Sequence, residues 1–167
     1  MARKPAALKF CFLSLFLSGL LLLPTAVQAQ IKHTHPIEIK YAWARATGKS
    51  PTAAIYMLLK NTSDTDDVLM GVETDKAHIT EIHKNVVNPN GVLEMTPAHQ
   101  GDVTIPAGEA LLLEPGGLHV MLMGMKEPLK DGYEFPVKVK FKHHPWQNVT
   151  VKIMPANYKY NPQKEMP

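Results

Sequence analysis

Two histidines and two methionines fall at the ends of short β-like runs: His83 in ITEIHKNVV, Met95 in NGVLEM, and His119 with Met121 in PGGLHVMLMGM. No cysteine stands among them. Imidazole and thioether are both neutral donors, and thioether is soft, so the set suits Cu(I) better than zinc or a hard cation. His119 and Met121 are two apart on one expected strand, which puts them on the same face about 6.5–7 Å apart. His83 and Met95 are equidistant from Pro89. A tight turn at NPN therefore makes them cross-strand partners, with Cβ atoms about 5 Å apart. The two pairs can close around one ion only if their strands meet at one edge of the fold. The residues alone leave the ordinary reading open, with His83 a plain strand histidine and the methionines apolar filler.

The segments around this set must deliver it outside the cytoplasm. Arg3, Lys4 and Lys9 precede an apolar run, Phe10 to Leu23, that is too short and wrongly flanked for a membrane span. Val27-Gln28-Ala29 then offers small residues for cleavage after Ala29. Residues 1–29 are thus expected to be a signal peptide, without a Leu-x-x-Cys pattern at the cut, and the remainder periplasmic with no stable membrane insertion.

The chain carries 18 Lys and Arg against 15 Asp and Glu. The excess of three is the three basic residues of the leader, so the remainder is formally neutral and offers no electrostatic case for nucleic acid or anionic membrane. Cys11, the single cysteine, also lies in the leader. Without it there is no disulfide, no thiolate nucleophile and no cysteine sulfur for a blue-copper centre. Roughly 138 residues remain, enough for one unstapled core.

Residues 30–36 read as a flexible arm bearing His33 and His35, and residues 155–167 as an extended tail. Between them, 37–154 form one domain of short strands punctuated by Gly, Pro and Asn turns. IEIKYAWA, AAIYMLLK, VLMGVET, HITEIHKNVV, VLEM, HVMLMGM, FPVKVKFK and NVTVKIM are the main runs. Period-two alternation with no amphipathic helix predicts an all-β, antiparallel sandwich or barrel. Ile39, Tyr41, Trp43, Ile55, Leu112, Val139 and Val151 are the expected core. Met57, Met70 and Met154 read as core filler, as do Met123 and Met125. His99 sits in a turn, and His143 and His144 in an exposed loop where solvation is expected. No Ser/His/Asp grouping or carboxylate pair suggests an enzyme, and Glu81 reads as a strand-face polar residue.

The set His83, Met95, His119-x-Met121 resembles the signature of the PCuAC family, periplasmic copper chaperones that serve the CuA centre of cytochrome c oxidase. AWARAT (42–47), AAIYMLLKN (53–61), EIHK (81–84) and IPAGEALLLEPGGLHVMLMGMKEPLKDG (105–132) match as well. The resemblance covers roughly residues 37–154. Here eleven residues separate His83 from Met95 and twenty-three separate Met95 from His119. Both spacings are longer than the family's usual ones, and the additions fall in or near NPNG and PAHQGD. The resemblance implies a cupredoxin-like Greek-key β-sandwich holding Cu(I) through His83, Met95, His119 and Met121. It also implies transfer of that ion to the CuA-bearing oxidase subunit or to another assembly chaperone. Copper storage or tolerance, or a metal-free interaction domain, are the alternative functions.

Overall fold

A computed structural model describes residues 35–99 and 103–161. The expected signal peptide, His33 and residues 162–167 lie outside the described residues. Every regular element among those described is a strand: β1 (Ile37–Arg45), β2 (Thr52–Asn61), β3 (Asp67–Glu73), β4 (Ala77–Val87), β5 (Leu93–Pro97), β6 (Thr104–Ile105), β7 (Ala110–Leu113), β8 (His119–Met125), β9 (Glu134–Phe141) and β10 (Gln147–Met154). One hydrogen-bonded path runs β5-β4-β8-β2-β1-β10-β9-β3-β6, with β7 added to β2. Most neighbours on this path are non-consecutive in sequence, as a Greek-key sandwich requires, and the expected all-β class is what the chain adopts. The pairings are antiparallel except for β1 with β10, which is parallel.

Alternation decides which side chains meet. β9 shows it without interruption: Phe135, Val137, Val139 and Phe141 are buried, while Glu134, Pro136, Lys138 and Lys140 are exposed. The same rule sends Ile55, Leu59, Leu113, Val120, Leu122 and Val151 into one shared core. Burying a side chain of this size contributes about 1.5–3 kcal/mol, so the core depends on none of the candidate ligands. Leu113 fills the place expected of Leu112, which is half-buried.

β1 departs from the expected face. Lys40 pairs with Leu58, yet Trp43 pairs with Tyr56, so an extra residue is inserted between them. Tyr41 absorbs it with φ of 53°, a conformation costing a non-glycine residue on the order of 1–3 kcal/mol. Beyond the bulge the alternation is inverted. Ala44 enters the core, Tyr41 is exposed, and Trp43 turns to the outer face beneath Tyr158 and Tyr160. Trp43 is buried, but in a second cluster rather than the main core.

A buried carboxylate fastens the β9–β10 loop to β3. Asp67 Oδ1 accepts from the Val68 and His143 backbone N–H groups at 2.7 and 3.1 Å, and Oδ2 lies 2.6 Å from His144 Nδ1. His144 is therefore held, not solvated as expected. Burial alone would raise the Asp67 pKa, but the bonds from His144, Val68 and His143 outweigh it and hold the carboxyl below its ordinary value. A depressed carboxyl pKa contributes stability that is complete above the ordinary aspartate value and is lost as pH falls through the folded one. Asp67→Asn should cost about 1–3 kcal/mol near neutral pH. Its deficit against wild type should shrink as both are acidified below about pH 4, which denaturant melts at stepped pH will measure.

Candidate metal centre

β4, β5 and β8 form one end of the sheet path. Val120 and Leu122 point into the core and Ile82 packs against it. Alternation therefore drives the residues between them, Glu81, His83, His119 and Met121, to the outer face. There His83 and His119 are direct cross-strand partners, and Glu81 stands opposite Met121. The imidazole centroids are 6.0 Å apart with planes inclined by 60°.

Hydrogen bonds select the tautomer of each ring. His119 is 4% exposed, and its Nδ1 lies 3.0 Å from the Gly117 carbonyl oxygen. A carbonyl only accepts, so Nδ1–H donates and the lone pair resides on Nε2. His83 Nε2 lies 2.9 Å from Glu81 Oε2. An ionised carboxylate likewise only accepts, so the His83 lone pair resides on Nδ1. That Nδ1 is buried and has no hydrogen-bond partner. Buried polar atoms are nearly always paired, and an ion shared with His119 would satisfy this one. A histidine held by a carboxylate through one nitrogen and facing a metal with the other is a recurrent arrangement at metal sites.

Met95 arrives from the edge strand. The register puts Asn85 opposite Met95 and Pro97 opposite His83, so the expected direct pairing of His83 with Met95 is displaced by two residues. The turn is centred on Asn90 rather than Pro89. Asn88 donates its N–H to Val92 O at 2.8 Å, and its Oδ1 accepts from the Asn90 and Val92 N–H groups at 2.9 and 3.0 Å. Gly91 closes the loop with φ of 78°, which glycine adopts without steric cost. Because the displacement is even, Met95 keeps His83's face. It becomes a diagonal neighbour about 7–8 Å away, within reach of a long side chain. Met95 is 54% exposed.

All four expected ligands thus share one outer face: His83 against His119, Met121 beside His119, and Met95 diagonal to His83. Met123, expected in the core, continues this face opposite Ile79, whereas Met125 packs against the core. Gly124 between them has φ of 66°, and a Cβ there would sit 3.1 Å from His78 Cδ2. Among the described residues no cluster of three or more His, Cys, Asp or Glu is placed to hold a metal. An ion at the histidine pair must complete its shell with thioethers, backbone or solvent. Sequence reasoning missed Glu81 as the partner of His83, although i, i+2 spacing on a strand was a usable signal. The Gly117 carbonyl left no such trace.

Residues 37–153 match a family model described as "Putative lipoprotein LpqE-like". The chain belongs to the LpqE-like family. A Leifsonia xyli subsp. xyli (strain CTCB07) protein named "Putative lipoprotein Lxx21020" is 34% identical over 131 residues, covering 78% of this chain and 77% of that protein. Among solved structures, the solution structure of CuI-DR1885 from Deinococcus radiodurans is 30% identical with a TM-score of 0.58, covering 77% of this chain and 85% of that one. The copper-bound PCuAC domain from PmoF2 shares the fold, with a TM-score of 0.60 at 22% identity over 72% of this chain and 94% of that domain. The PCuAC likeness drawn from the sequence is borne out.

In this LpqE-like chain Glu81 positions His83. Glu81→Ala should release the Nε2 proton, and long-range imidazole nitrogen NMR should then show mixed tautomers at His83 where wild type shows one. Metal affinity at the pair should fall about 10–100-fold.

Proposed function

We propose that this chain is a periplasmic Cu(I) carrier that binds the ion through His83, Met95, His119 and Met121 and delivers it toward the CuA site of cytochrome c oxidase. One observation carries the reading: the His83–His119 pair, whose lone pairs are freed by Glu81 and Gly117 and which includes the unpartnered, buried His83 Nδ1. Thioethers on the same face supply the softness that Cu(I) prefers. The likeness to CuI-DR1885 supports copper as the cargo. The lipoprotein names of the family and of the Leifsonia relative support export.

The donor types also suit transfer. Four neutral ligands leave the single charge of Cu(I) uncompensated, so a thiolate-bearing acceptor draws the ion downhill. Met95, more than half exposed on the edge strand β5, is the ligand an incoming donor can displace first, while the buried His119 releases last. The core forms without the ligands, so the carrier can fold empty and be reused, and copper adds stability only through binding linkage.

Competition titration against a chromophoric Cu(I) chelator tests the site. Wild type should hold one equivalent. Met95→Ala/Met121→Ala should lose roughly 100-fold or more in affinity, beyond what second-layer changes cost, and wild-type affinity in that variant would sink the assignment. Delivery is checked by deletion: impaired oxidase assembly is expected, and copper sensitivity with normal assembly would favour storage.

A further inference from the structure

The outer-face cluster created by the β1 bulge touches the metal centre. Tyr56 lies on β2, its ring centroid 6.3 Å from that of His119. Trp43 is tilted against Tyr56 at 4.5 Å, Tyr158 meets Trp43 edge-on at 5.0 Å, and Tyr160 stacks on Trp43 at 5.6 Å. Arg45 completes the cluster, its guanidinium 5.5 Å from the Trp43 ring and its Nη2 donating to the Tyr158 carbonyl at 3.2 Å. An unbroken series of redox-capable rings therefore runs from a candidate ligand, through two buried residues, to half-buried tyrosines beyond the last strand. The chain accepts a left-handed Tyr41 to aim Trp43 into this series rather than into the core.

We propose that Tyr56, Trp43, Tyr158 and Tyr160 form an electron path that protects the thioether ligands when peroxide reacts at the site. This rests on the Cu(I) reading above. Cu(I) gives one electron to hydrogen peroxide and the O–O bond breaks, forming hydroxide and an oxidant one electron short of water. Left there, that oxidant attacks the nearest soft group, and methionine becomes sulfoxide. Through the path it is filled instead by an electron from a tail tyrosine. Cu(I), H2O2 and a tyrosine thus yield Cu(II), hydroxide, water and a neutral tyrosyl radical, with the phenolic proton ending in the water. Trp43 serves as relay and not terminus, because the Arg45 cation over its ring disfavours a resting tryptophan radical cation. The tyrosines can shed a proton and so hold the radical without added charge. A soluble hydrogen-atom donor can then restore them.

The test compares wild type, Tyr158→Phe/Tyr160→Phe and Tyr56→Phe, each loaded with one equivalent of Cu(I) and given the same dose of hydrogen peroxide. Peptide mass spectrometry reads tyrosine oxidation at 158 and 160 and sulfoxide at Met95 and Met121, with copper-free protein at the same dose subtracted. Phenylalanine keeps the ring and its packing but cannot supply the electron. Wild type should oxidise chiefly at the tail tyrosines. The double variant should show a several-fold rise in sulfoxide at Met95 and Met121, and Tyr56→Phe a several-fold fall in tail oxidation. Equal sulfoxide yields in wild type and double variant, or unmodified tail tyrosines in a wild type shown beforehand to hold Cu(I), would overturn the path alone. A wild type that retains no Cu(I) against the chelator would overturn the carrier reading and this one with it.

Discussion

The register between β4 and β8 is the constraint on which the site depends. His83 faces His119 only because Ile82 and Val120, one residue earlier and later, are paired toward the core. Side chains on a strand alternate faces, so a slip of one residue would turn both imidazoles into the apolar core and both aliphatic neighbours out of it. The apolar cost of that slip is several kcal/mol, at about 1.5–3 kcal/mol per large side chain. The hydrophobic core thus sets the geometry of the histidine pair without contributing a side chain to it.

The same division of labour extends along the outer face. Once the inner face is satisfied, outer residues are free to carry chemistry. Glu81 orients His83, the Gly117 carbonyl orients His119, and Tyr56 links the centre to the Trp43 cluster. The hairpin β4–β5 adds Met95, a candidate donor that is more than half exposed. Met95 lies on the edge strand, whereas His119 at the other end of the candidate site is buried.

Much of this was legible in the sequence, for a physical reason. Period-two alternation is a local property, and runs such as FPVKVKFK announce both a strand and its inward face. The shared face of His119 and Met121 follows from the same period, while the four-residue ligand set is what the PCuAC resemblance implies. What escaped depended on insertions or on distant pairing. The NPNG turn is centred one residue later than Pro89 suggests, because Asn88 gathers the loop's N–H groups. That moved Met95 from opposite His83 to a diagonal position. The bulge at Tyr41 has no compositional mark, so alternation alone predicts neither the exposure of Tyr41 nor the placing of the buried Trp43 in a second cluster. The Asp67–His144 contact joins residues far apart in the chain, and neither the turn-rich NTSDTDD nor the HHPWQ loop indicates it.

In the proposed site two imidazoles and two thioethers jointly hold one Cu(I). Copper K-edge X-ray absorption of the protein loaded with a single equivalent counts nitrogen and sulfur scatterers directly. Two nitrogen and two sulfur donors are expected, with one sulfur lost on Met95→Ala and one nitrogen lost on His119→Ala. A first shell of nitrogen and oxygen alone, unchanged by Met95→Ala, would contradict it.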